Sequence, residues 1–148
     1  MEVGTHIILD TYNINHKFFI DINNDQYNNF HNYILENLEK NDMNVLNYSI
    51  KNFENPPGAF TSLYLLSESH LSFHSWPELN FIAIDCFTCG SCDPNKIINA
   101  IVEYLQPEYV DRRIIKRGCK INISNEVLHK LQTPPEIGSL HMISGENN

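Results

Sequence analysis

Apolar residues recur along this chain in two rhythms. Thr5 to Tyr12 (THIILDTY) clusters β-branched residues ahead of an Asn-rich polar stretch, predicting a first strand and then a turn. Between Gln26 and Lys40 the period becomes helical: Phe30, Ile34 and Leu38 fall at i, i+4 and i+8, Tyr33 lies beside them, and Asn41-Asp42 ends the run. Asn44 to Phe53 returns to strand-like alternation, Pro56-Pro57-Gly58 makes a turn, and Phe60 to Leu66 is a further strand, so the first half reads β-α-β-β.

In the second half, His70 to His74 and Phe81 to Thr88 read as strands joined across Trp76-Pro77-Glu78, where Pro77 interrupts regular pairing. Asp93 can cap the next helix and Pro94 suits its first turn. Ile97, Ile98, Ile101, Val102 and Leu105 give that helix one apolar stripe. Pro107 stops it, and Tyr109 to Lys116 is a last strand. Beyond Gly118 come a short helix-like piece, Asn125 to Gln132, then Pro134-Pro135 and a polar end. The halves share a strand, helix, strand grammar. They predict an α+β fold: a two-layer α/β sandwich built from two β-α-β-like halves, with helices on one face of a mainly antiparallel sheet.

At 148 residues the chain fits a single domain able to bury a core without staples. Ten Lys and Arg stand against 18 Asp and Glu, a formal charge of -8, and no basic run offers a footprint for nucleic acid. The acidic balance mildly favours a cationic small substrate. MEVGTHIILD lacks a basic n-region with a long apolar h-region, and no later run reaches membrane-spanning length, so a cytoplasmic location without membrane attachment is expected. Three of the four cysteines, Cys86, Cys89 and Cys92, crowd one strand-turn segment and Cys119 lies apart, which suits reduced thiols better than a disulfide framework.

Reactive side chains concentrate between Leu65 and Gly90, LLSESHLSFHSWPELNFIAIDCFTCG. On a strand His70, Ser72 and His74 point one way and Leu71 and Phe73 the other. A serine at a strand end is most often a turn residue unless a base activates it. The Cys-x-x-Cys-x-x-Cys spacing invites a metal reading with His70 and His74 as further ligands, but Cys86 and Cys89 would face opposite sides of the sheet. Cys86 reads as a buried small hydrophobe, whereas Cys89, just before Gly90, can reach a cleft.

Taken together, Ser-Glu-Ser-His-x-x-x-His-x-Trp-Pro-Glu and Asp-x-Phe-Thr-Cys-Gly closely resemble the signature of the bacterial and archaeal S-adenosylmethionine decarboxylases. The resemblance runs from Gly4-Thr5-His6 and Asp10, through the Phe53 to Gly58 turn, to Lys116-Arg117-Gly118, leaving residues 119–148 as an extra tail. It implies a proenzyme that cuts itself between Glu68 and Ser69 into a β chain, 1–68, and an α chain, 69–148. Ser69 becomes a covalent pyruvoyl group that takes the substrate amine as a Schiff base. His74 would be the proton acceptor in processing and Cys89 the proton donor in decarboxylation. Trp76 and Phe53 resemble the aromatics that sandwich adenine, and Glu78 the carboxylate that holds the ribose hydroxyls. A homodimer of cleaved protomers is also implied, with an aromatic crossing from the partner at the active site.

Two departures stand out. The segment between Phe53 and Ser69 carries at least one extra residue, which makes Phe60 an alternative to Phe53. The auxiliary serine eight residues before the cleavage site is Thr61 here, with Ser62 beside it. The implied activity is conversion of S-adenosylmethionine to its decarboxylated form, the aminopropyl donor for spermidine, plus carbon dioxide, with no metal assigned. One alternative keeps the pyruvoyl chemistry on ornithine or arginine; another is a non-catalytic homologue that binds or regulates a partner.

Overall fold

The computed structural model describes residues 3–21 and 27–118. Gln26, Cys119 and the predicted helical piece Asn125 to Gln132 lie outside the described residues. In order, the elements are β1 (Gly4–Tyr12), α1 (His16–Asp21), α2 (Tyr27–Lys40), β2 (Val45–Asn52), β3 (Phe60–Leu66), β4 (Ser69–Trp76), β5 (Phe81–Cys89), α3 (Pro94–Leu105) and β6 (Tyr109–Arg117).

The strands form one six-stranded sheet in the order β2-β3-β4-β5-β1-β6, with every neighbouring pair antiparallel. β1 lies between β5 and β6, so these two run parallel to each other and α3 carries the chain from one to the other across β1. By the same count β1 and β2 are parallel, and α1 and α2 cross three strands to the far edge. Both connections leave helices on the same side, as the two-layer expectation required.

Period-two alternation decides which face they cover. Ile7 and Leu9 of β1, Leu71 and Phe73 of β4, and Ile82 and Ile84 of β5 are all fully buried. Against them pack Phe30, Ile34 and Leu38 of α2 and Ile97, Ile98 and Ile101 of α3, the two predicted stripes. Each such side chain contributes about 1.5–3 kcal/mol by leaving water. The Asp93 carboxylate caps α3 by accepting the Asn95 backbone N–H at 3.0 Å, and the Asn95 bonds hold its carboxyl below the usual range.

The stretch after β1, expected to be only a turn, contains the six-residue helix α1. Phe18 and Phe19 are both buried, and Phe18 meets Phe30 edge-on at 5.2 Å. A two-residue apolar pair is too short to register as a helical stripe, and burial holds what propensity does not. α1 also braces the loop before β3. Gly58 has φ +86, and a Cβ there would come within 2.7 Å of the Phe19 carbonyl oxygen, so this turn requires glycine. Phe53, at the start of the same loop, donates its N–H to Ala59 at 2.8 Å. Among the described residues no helix is long and apolar enough to cross a membrane.

Candidate active site

The face away from the helices carries the reactive residues in cross-strand rows. His70 stands beside Phe87 and, across β5, His6. Ser72 stands beside Asp85, His74 beside Ala83 with Thr61 on its other side, and Trp76 beside Phe81. The predicted sidedness of β4 is therefore observed: Leu71 and Phe73 are buried, while His70, Ser72 and His74 face the open side.

At one end of this face is the hairpin that joins β3 to β4. Its loop is Ser67-Glu68, closed by the Leu66–Ser69 pair. The Glu68 carboxylate is tied back, accepting the Asn44 N–H at 3.0 Å and the Ser67 hydroxyl at 2.8 Å. Its main-chain carbonyl accepts the Cys89 N–H at 2.9 Å from the end of β5. Ser69 adopts φ 149, a conformation that costs a non-glycine residue about 1–3 kcal/mol. Its Oγ lies 3.4 Å from His70 Nδ1. Glu68, Ser69 and Cys89 are thus brought together, with strain at the serine. Gly4 pairs with Cys89, and a Cβ on it would drive into the Thr88 carbonyl and Phe87 ring, so β1 approaches the site closely only as glycine.

Beside this hairpin, His6 Nε2 lies 3.0 Å from Asp85 and Arg117 approaches His6 Nδ1 at 3.3 Å. Arginine only donates, so Nδ1 accepts and the Nε2 proton faces Asp85. The Arg117 guanidinium also sits over the Phe87 ring, 5.2 Å from its centroid. The sequence alone gives Gly4-Thr5-His6 no role, because Asp85 and Arg117 meet His6 only across three strands.

The other end of the face holds a cavity of about 310 Å³, lined by Phe53, Pro56, Thr61, His74, Trp76 and Glu78 among others. Phe53 is 45% exposed at its rim, whereas Phe60 is 1% exposed within the core, which removes Phe60 as a stacking residue. Trp76 is 39% exposed and stacks on Phe81 at 5.3 Å. Thr61 Oγ1 lies 3.1 Å from His74 Nδ1. Ser62 turns into the core with its hydroxyl unpartnered, so Thr61 alone of that pair meets the histidine. A shallow groove of about 700 Å³ along β3 and β4 runs between the two ends past Leu63, Leu65 and Ser72.

The structure does not bring His74 to Ser69 within one chain. Both line the groove along β3 and β4, but they stand five positions apart on β4, about 17 Å along an extended chain. Among the described residues, Cys86 and Cys89 do not share a face of β5. Burial, with Asp85 adding to it, pushes the Cys86 thiol up to about 12, leaving it an inert core group, while Cys89 is half-buried. Among the described residues no group of three or more His, Cys, Asp or Glu side chains is arranged to hold a metal ion.

The family model for S-adenosylmethionine decarboxylase matches residues 5–118. A relative from Bacillus cereus named S-adenosylmethionine decarboxylase proenzyme 2 is 39% identical over 116 residues, covering 78% of this chain and 89% of its own length. A Methanococcus maripaludis relative named S-adenosylmethionine decarboxylase proenzyme is 44% identical over 70 residues, 47% of this chain and 57% of the relative, so that match spans little more than half of its length. The crystal structure of the adenosylmethionine decarboxylase from Aquifex aeolicus superposes with a TM-score of 0.67 at 25% identity, covering 84% of this chain and 98% of that one. With a family model matching residues 5–118 and a relative 39% identical over 116 residues, the chain belongs to the S-adenosylmethionine decarboxylase family.

Proposed function

We propose that the chain is a self-processing decarboxylase of S-adenosylmethionine, cut between Glu68 and Ser69 into chains 1–68 and 69–148 and carrying a pyruvoyl group made from Ser69. The observation that carries this reading is the hairpin itself. The Glu68 carbonyl is already polarised by the Cys89 N–H, and the next residue is a strained serine. Attack of Ser69 Oγ on that carbonyl turns the amide into an ester. The Cys89 N–H, aimed at the oxygen where negative charge develops, stabilises the tetrahedral stage. Loss of the Ser69 α-proton then expels the Glu68 carboxylate, and hydrolysis of the resulting dehydroalanine releases ammonia and leaves the pyruvoyl group. The hairpin fits that group because the new chain end sits at the start of β4, beside Cys89 and open to the groove.

Once formed, the pyruvoyl group supplies a carbonyl that takes up the substrate amine and accepts electrons as carbon dioxide leaves. This chain's residues do the rest. Cys89 Sγ holds the proton that returns to the substrate α-carbon. Phe53 and Trp76 offer flat faces to the adenine, and the Glu78 carboxylate accepts from the two ribose hydroxyls. The aromatic walls with a nearby carboxylate suit a purine and a ribose diol, and favour a nucleoside over ornithine, whose side chain has no planar group to stack.

The separation of Ser69 and His74 along β4 supports a site shared between two copies. A twofold axis running across the strands, between two open faces packed together, lays the hairpin end of one copy on the His74 end of the other. His74 of the second copy, its Nδ1 facing Thr61, then takes the Ser69 α-proton, and its nucleoside pocket lies over the first copy's pyruvoyl end. The half-exposed Leu63 and Leu65, at 47% and 49%, supply an apolar centre for that packing. The cleaved dimer is placed in the cytoplasm. Mass spectrometry of the purified protein tests the processing. Two fragments are expected, the later one lacking the Ser69 amine nitrogen, and a single uncut chain refutes it. Carbon dioxide release from S-adenosylmethionine, ornithine and arginine compared side by side tests the substrate; faster release from either amino acid refutes the nucleoside reading.

A further inference from the structure

The acyl shift that opens processing needs a base for the Ser69 hydroxyl proton, and the resemblance supplies none: His74 acts only after the ester exists. We propose that His70 is that base, a second catalytic histidine working within its own chain, and this rests on the self-processing reading above.

The geometry makes the assignment by position and by elimination. Nδ1 of His70 lies 3.4 Å from Ser69 Oγ, a reach that tightens as the hydroxyl swings toward the Glu68 carbonyl. Among the described residues the other titratable groups nearby are committed or distant. The Glu68 carboxylate faces Asn44 and Ser67, away from the hydroxyl. His6 spends Nε2 on Asp85 and Nδ1 on Arg117. Cys89 meets the scissile carbonyl through its backbone N–H, and among the described residues the side chain within hydrogen-bond reach of the Ser69 hydroxyl is that of His70, not the Cys89 thiol. His74 is five residues down the strand. The rings of Phe87 and His6 bracket the His70 imidazole edge-on at 6.1 and 6.2 Å, which limits its rotation away from the serine.

The hydroxyl proton passes from Ser69 Oγ to His70 Nδ1 while the Oγ–C bond to Glu68 forms and the carbonyl oxygen becomes an anion held by the Cys89 N–H. The anion collapses, the Glu68–Ser69 C–N bond breaks, and the leaving nitrogen takes the same proton back from His70. An ester and a free amine result, and His70 is neutral again. The two histidines then divide the work: His70 moves the proton between oxygen and nitrogen, and His74 of the partner subunit removes the one on carbon.

Hydroxylamine separates these steps because it cuts an ester and leaves an amide. An H74A chain should accumulate the ester and be split by hydroxylamine at Glu68–Ser69. H70A should stay whole both alone and in hydroxylamine, with cleavage slower by on the order of 10²-fold or more. H70Q, which can accept the serine hydrogen bond but cannot carry the proton, should behave like H70A and covers the case in which alanine disturbs folding, with circular dichroism as the check. A folded H70A or H70Q chain that self-cleaves at the parental rate, or that hydroxylamine cuts as readily as H74A, overturns the assignment. A parent chain that stays whole, with H74A resistant to hydroxylamine, would instead refute self-processing.

Discussion

Replacing both Leu63 and Leu65 with alanine should make self-cleavage depend on protein concentration. Both side chains stand on the open face, about half exposed in the single chain. Covering the exposed half of a leucine is worth about 1 kcal/mol, half of what full burial gives. A twofold interface counts each position twice, so the double variant loses about 3–4 kcal/mol of association energy, which weakens the dimer about 10²- to 10³-fold. The isolated fold loses far less, because the bulk of the core lies on the other face. Sedimentation equilibrium across a dilution series gives the dissociation constant, and gel densitometry on the same samples gives the cleavage rate. The parent should cleave at a rate independent of dilution while the variant slows as it falls apart. A double variant that dimerises as tightly as the parent, or that cleaves at full rate as a monomer, would refute the split site.

C89A keeps the backbone N–H that polarises Glu68, so it should be cut normally yet release carbon dioxide on the order of 10²-fold more slowly; parental turnover would remove Cys89 as the acid. Burial lowers the pKa of His31 in α2, whose Nδ1 lies 2.9 Å from the buried Tyr64 hydroxyl and whose ring lies 4.6 Å from that of Tyr48. Its pKa is lower folded than unfolded, so the unfolded chain binds the extra proton first and stability falls as pH drops below about 6.5. Urea midpoints from pH 8 to pH 5 should fall more steeply for the parent than for H31Q, and parallel curves would contradict this.

Much of this architecture is legible because it is local. Alternation in β3 and β4 and the stripes of α2 and α3 fix which side chains go inside, and Asp93-Pro94 marks a helix start that the Asn95 bond then makes. The helix α1 is hidden, since Phe18-Phe19 has no period of its own and is held by Phe30 from another element. The Phe53 ambiguity was a matter of loop geometry: spacing alone could not reveal that Phe60 packs inward while Gly58 folds the loop around Phe19. Shared sidedness misleads in one place. His70 and His74 alternate onto the same face as predicted, but sidedness is not proximity: His70 lies 3.4 Å from the Ser69 hydroxyl while His74 stands five positions along the strand, which gives them different partners.

The most direct test mixes two inactive chains. S69A has no serine to cleave and H74A no base, so each alone should stay whole. Coexpressed in equal amounts with different tags, they form mixed dimers in which the intact Ser69 of H74A faces the intact His74 of S69A, and about half of the H74A chains should be cut. If H74A stays whole in isolated mixed dimers, His74 serves its own chain or none, and the two-copy site is wrong.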